Sequence, residues 1–133
     1  MATSHTERLR AVNASDANRE GAVLSKAVAR AADFLDLPNK VVARTLGISE
    51  SSVSRLKAGS FVISPDTKPF ELAQLFVRLF RSLDAITGSD DNSSRSWFRA
   101  ENTALDGKPI EIIQTVRGLI GVLAYVESRR APL

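Results

Sequence analysis

The sequence has no cysteine, one histidine, one tryptophan and one tyrosine in 133 residues. Without cysteine there is no disulfide framework, no thiolate metal site and no cysteine nucleophile. The histidine, His5, stands in a polar N-terminal stretch, which leaves almost nothing for imidazole acid–base work or a histidine-ligated metal. Also lacking is any run near the roughly 18 consecutive apolar residues of a membrane span. Met1 to Glu20 has no apolar core of a secretory signal, because Asn13 and Ser15 interrupt Ala11, Val12 and Ala14. The carboxylates Asp90-Asp91, and Glu101 with Asp106, form no catalytic constellation; Asp90-Asp91 reads as a helix start. A cytoplasmic protein is expected, with no membrane association, catalytic residue, cofactor or metal. It is not expected to be an enzyme.

What is present is an ordinary globular composition, 44% apolar and 25% charged. That bounds the chain to one compact domain or two small ones sharing a core. The net charge of +3 and pI near 9.7 fit a polyanionic partner, but charge alone decides little.

Residues 1–20 mix Ser, Thr, Asn, Asp, Glu and Arg without helical or strand period and read as a mobile leader. The first periodic element starts near Gly21, with Leu24, Ala27, Val28, Ala31, Phe34 and Leu35 on one face. Pro38 stops it and opens the next helix. Two short helical runs follow, broken at Gly47, and then a loop from Ala58 to Asp66. From Lys68 a long stripe of Leu72, Ala73, Phe76, Val77, Leu79, Phe80 and Leu83 runs towards Gly88, the expected C-cap. It is too wide for one neighbour, so it should serve both halves of the chain or a second subunit, and a homodimer is expected. Trp97 should lie in the core of a short helix, Asp106-Gly107 marks a turn, Pro109 starts another helix, and Thr115 caps a last one reaching about Arg130. The fold reads as all-α. Residues 21–66 form a helix-turn-helix bundle and residues 67–133 a second helical region.

The most informative stretch, Asn39 to Ala58, is NKVVARTLGISESSVSRLKA. A helix-turn-helix needs a small residue where its helices touch, a turn residue tolerant of positive φ, and inward apolar residues on both sides. Ala43 and Gly47 supply the first two; Val42, Leu46, Ile48, Val53 and Leu56 supply the third. Ser49 stands at the N-cap of the second helix, with Glu50 in its first turn. The outward face then carries Ser49, Glu50, Ser51, Ser54, Arg55 and Lys57, with Ser52 towards the edge. Arg55 suits a guanine and Glu50 a cytosine amino group. Lys57, Lys40 and Arg44 suit phosphates. A two-fold dimer would set two such helices ~34 Å apart on an inverted repeat.

From Trp97 the chain reads WFRAENTALDGKPIEIIQTVRGLIGVLAYVESRR. Trp97, Asn102, Leu105, Gly107 and Pro109, followed by Ile113, Thr115 and Gly118, resemble the toxin-binding region of the Xre/MbcA/ParS antitoxins. An upstream helix-turn-helix in the same short chain is also what that family has, so the resemblance covers about residues 21 to 130. It departs at Glu101, where proline is common, and at Lys108, which stands alone between Gly107 and Pro109. The resemblance implies a bacterial antitoxin that binds a RES-domain toxin, a class understood to consume NAD, and covers its active-site entrance. It makes residues 67–133 a dimerisation and toxin-binding domain.

The residues point to the same end of the chain. In the last helix Leu119, Val122, Leu123 and Val126 form a core stripe, yet Ile120, Ala124 and Tyr125 lie outside it. These three, with Ser128, Arg129, Arg130 and Leu133, are the expected toxin contacts. Deleting residues 127–133 is expected to leave the helix-turn-helix folded. The alternative is a phage-type helix-turn-helix repressor without a toxin partner, its C-terminal half serving dimerisation only.

Overall fold

In a computed structural model, the structure describes residues 4–130, apart from the side chains of residues 11–13. Among the described residues seven helices follow one another: α1 His5–Phe34, α2 Asn39–Leu46, α3 Glu50–Lys57, α4 Lys68–Ile86, α5 Asp91–Arg99, α6 Pro109–Ile112 and α7 Val116–Arg130. Among the described residues there is no strand, only an isolated bridge between Asn102 and Gly107. No described helix is long and apolar enough to cross a membrane.

The all-α expectation holds, with one correction at the start. Residues 5–20, expected as a mobile leader, form the first half of α1. The missed signal is a capping box. Ser4 Oγ accepts from the Glu7 backbone N–H, and the Ser4 N–H donates to the Glu7 carboxylate, both at 3.2 Å. This half shows no apolar period because its described side chains are nearly all exposed and meet no neighbour that would demand one. Periodicity begins at Gly21, where α1 reaches the body and its backbone lies against Ile63 and Val62.

Central to the body is α4, which packs on α1 and α2 on one side and on α7 and α5 on the other. Its stripe is used within the chain: Ala73, Phe76, Val77, Leu79 and Leu83 are buried, while Leu72 and Phe80 are half-buried. Phe80 stacks on Phe34 of α1, ring centroids 5.9 Å apart. One core therefore runs through both halves, from Val28 and Leu35 through Leu46 and Val53 to Phe98, Leu119 and Val126. The stripe is explained without a second subunit.

Helix ends follow the expected chemistry. Thr67 caps α4, and Gly88 lies one residue past its C-cap, Thr87. Asp90 caps α5, accepting from the Asn92 and Ser93 N–H groups. The hydrogen bond from the Ser93 hydroxyl, and then those from these amides, hold the Asp90 carboxyl below its ordinary 3.8. A carboxyl depressed in the folded state stabilises above its unfolded pKa, and that contribution is lost as pH falls through the folded value. The amides of α5 should therefore lose hydrogen-exchange protection on acidification below about pH 3.8, earlier than those of α4, and Asp90→Asn should remove the dependence.

Thr115 caps α7 by accepting from the Gly118 N–H at 3.0 Å. A Cβ at Gly118 would collide with the Ile112 carbonyl, because α6 and α7 meet there backbone to backbone. Gly118→Ala should lower stability by about 1–3 kcal/mol, read as a reduced melting temperature. Gly121→Ala, with nothing near its Cβ, is the matched control.

Candidate nucleic-acid and partner-binding surfaces

The two short helices α2 and α3 form the expected helix-turn-helix. Ala43 is buried where they meet, and its carbonyl accepts from both the Gly47 and the Ile48 N–H groups, at 2.9 and 3.1 Å. Gly47 takes φ 73° and ψ 34°, the left-handed conformation glycine adopts without a Cβ penalty. Val42, Leu46, Val53 and Leu56 are buried and Ile48 is half-buried, as the spacing predicted.

On α3, Ser49 Oγ accepts from the Ser52 N–H at 3.1 Å and donates to Ser52 Oγ at 2.9 Å. Ser52 Oγ also accepts from Arg55 Nη2 at 3.2 Å. Ser52, read from the sequence as an edge residue, is buried and holds one terminal nitrogen of the arginine. The Arg55 guanidinium lies 6.0 Å from the Phe61 ring centroid, so it has an aromatic neighbour as well as one anchored nitrogen. Ser49, Glu50, Ser51, Ser54, Arg55 and Lys57 are all exposed, as are Lys40 and Arg44 on α2.

Lys57 also has a place inside the motif. Its ammonium donates to Asn39 Oδ1 at 2.6 Å and to the Leu37 carbonyl at 3.5 Å, tying the end of α3 to the start of α2. It positions the two helices before it meets any phosphate.

The second surface lies on α5 and α7. Trp97, expected in the core, is half-buried, and its neighbour Phe98 takes the core position. The Trp97 ring stacks on Tyr125 with centroids 6.4 Å apart and planes 12° apart, and Arg129 lies 5.8 Å from the Tyr125 centroid. The result is a column of indole, phenol and guanidinium at the edge of α7. On the other flank of α7 Ile120 is 50% exposed and Val116 is 57% exposed, with Ala124 and Ser128 exposed along the same helix. Leu133 lies outside the described residues. Arg130 turns inward, donating to Ser82 Oγ at 3.2 Å. Glu127 is held bidentately by Arg78 of α4, at 2.8 and 2.9 Å. Removing residues 127–133 would therefore cut two ties between α7 and α4, at the end of the chain away from the helix-turn-helix.

Sequence reasoning also missed Arg95 and Arg99. The last turn of α1 has no basic residue of its own. Arg95 Nε donates to the Phe34 carbonyl at 2.7 Å, and Arg99 donates to the Leu35 and Asp36 carbonyls at 3.0 and 2.6 Å. Cations from α5 thus close the C-terminus of α1, immediately before the helix-turn-helix. Only the tertiary fold brings them there. Arg99→Ala should cost about 1.5–3 kcal/mol in a urea melt, the range for hydrogen bonds to charged groups.

Two family comparisons cover these two surfaces. Residues 15–78 match the antitoxin Xre-like helix-turn-helix domain. Residues 82–131 match the antitoxin Xre/MbcA/ParS C-terminal toxin-binding domain. The chain belongs to the Xre/MbcA/ParS antitoxins. It is the antitoxin of a toxin–antitoxin pair, with a helix-turn-helix for DNA and a C-terminal domain for a toxin. Neither family is known as an enzyme, and among the described residues no group of three His, Asp or Glu is placed to hold a metal. No curated protein matches the sequence. In this antitoxin the asparagine of the toxin-binding pattern, Asn102, closes a loop: its Oδ1 accepts from the Leu105 N–H at 3.1 Å, and its backbone pairs with Gly107. Pro109, buried, then opens α6.

Proposed function

We propose that this antitoxin neutralises a RES-domain, NAD-consuming toxin in the bacterial cytoplasm by covering its active site with α7 and the tail. The observation that carries the reading is the exposed apolar edge of α7. Val116 and Ile120, each at least half exposed, lie outside the core face of a helix that on its other flank carries the Tyr125–Arg129 pair. Such an edge wants a second surface to bury against. Arginine and tyrosine are the side chains enriched where interfaces carry most of their binding energy. Ile120, Ala124, Tyr125, Ser128, Arg129 and Leu133 are its proposed contacts. Arg130 contributes from the rim, where it is already tethered to Ser82.

The antitoxin also represses its own promoter through α3. A homodimer, formed by the 67–133 region, binds an inverted repeat. Arg55 and Glu50 read bases, while Lys40, Arg44 and Lys57 hold phosphates. The arrangement of Arg55 on Ser52 and Phe61 supports this, since a constrained arginine loses little side-chain entropy on binding a base. The test is co-expression with a RES-domain toxin. Co-purification and preserved cellular NAD support the reading; toxicity and NAD depletion unaffected by the antitoxin would refute it.

A further inference from the structure

Between α1, α4 and the end of α7 runs an open groove of about 700 Å³ that the DNA reading does not use and the toxin reading touches only at Arg130. Its floor is apolar, with Leu24, Ala27 and Phe70 half-buried and Val23 64% exposed. Its rim carries four arginines, Arg19, Arg78, Arg81 and Arg130, against one carboxylate, Glu20. Arg78 is already neutralised by Glu127. Among the described residues, Arg19 and Arg81 form no ion pair, so the rim has an unbalanced positive charge above an apolar trough.

We propose that this groove binds an acidic amphipathic helical segment of a partner protein, apolar side chains down and carboxylates towards Arg19, Arg81 and Arg130. Shape favours an elongated occupant. The lining extends along α1 from Arg19 to Ala27 and along α4 from Phe70 to Arg81, about 12 and 16 Å, which is two to three turns of a helix. Chemistry favours carboxylates, which the planar guanidinium fork grips bidentately, as Arg78 already grips Glu127. The apolar floor argues against nucleic acid, whose backbone offers nothing to bury there. A second copy is a poor fit. The solvent-exposed first half of its α1 balances Glu7, Asp16 and Glu20 with Arg8, Arg10 and Arg19, and so brings no net negative charge.

The probe is a fluorescein-labelled synthetic helical peptide with leucines three and four residues apart and glutamates beside them, titrated with the full chain by anisotropy. It should bind at least about tenfold tighter than polyglutamate of equal length. Arg81→Glu and Val23→Glu should each weaken it by at least about tenfold, while Arg55→Ala leaves it unchanged. Both positions are exposed, so neither variant depends on the other to fold. Absent binding, equal affinity for polyglutamate, or indifference to both substitutions would overturn the proposal. Displacement by mixed-sequence duplex DNA would assign the arginines to phosphates instead. Dissociation of a dimer by Arg81→Glu in sedimentation would place a second copy in the groove.

Discussion

Replacing Glu50, Ser54 and Arg55 together by alanine should reduce operator binding to the level of any mixed-sequence duplex, a loss of at least ~10³-fold. All three side chains are exposed on α3 and none fills the core, so the fold should survive. Arg55→Ala alone should cost about 1–3 kcal/mol and relax the preference at one base position, as expected for an arginine gripping a guanine edge. Ser52→Ala should give a smaller version of the same defect. It leaves the guanidinium in place but removes the hydroxyl that holds its Nη2 at 3.2 Å. Lys57 is kept out of the triple variant because its ammonium bonds Asn39 and the Leu37 carbonyl; its loss would weaken binding and the α2–α3 junction together. Lys40→Ala is the cleaner phosphate probe. It should lower affinity for all sequences alike and reduce the salt slope by about one unit. An operator selected from a random duplex library, followed by titration at several salt concentrations, supplies the measurement. Sequence-selective binding retained by the triple variant would exclude α3 as the reading helix.

The helix-turn-helix was legible because its constraints are local. Gly47 and Ser49 each satisfy a requirement that depends on residues at most four positions away, and Ala43 one set within the same short window. The same is true of Asp90 and Thr115, whose capping roles follow from their place before a helical run. What sequence could not give were the long-range ties. Arg99 reaches the Leu35 and Asp36 carbonyls, and Arg78 reaches Glu127, across separations set by how α4 and α5 pack. A surface arginine looks the same in a sequence whether it closes a helix or faces water. The width of the α4 stripe was read correctly, but its occupant was left open between a subunit and the chain itself. Only the placement of α1, α2 and α7 around Phe76 and Leu79 decided that. The error at residues 5–20 has another cause. Hydrophobic period reports burial, and a solvated helix has none to report, so the capping box at Ser4 was the sole signal available.

Ile120→Asp should abolish protection from the toxin while leaving DNA binding intact. Ile120 is 50% exposed on α7 and contributes nothing to the core, which Leu119 and Val122 fill from the opposite face. A carboxylate there would be buried unpaired in the complex, a cost of 2 kcal/mol or more at the centre of an interface. Tyr125→Ala should also weaken neutralisation by ~2 kcal/mol, but its reading needs a control. The phenol stacks on Trp97 and also meets Arg129, so its removal loosens α7 as well as the surface. Tyr125→Phe keeps both stacking contacts and should retain most activity. Truncation is best confined to residues 131–133, because Glu127 and Arg130 anchor α7 to α4 through Arg78 and Ser82. Growth rescue against the toxin, with calorimetric affinities and a DNA shift assay alongside, separates the outcomes. Full rescue by Ile120→Asp would remove the α7 edge from the interface and move the contact to the Trp97–Pro109 loop. Loss of rescue with DNA binding unchanged would place the toxin on the apolar edge of α7, away from the reading helix, so that one chain can hold toxin and operator through separate surfaces.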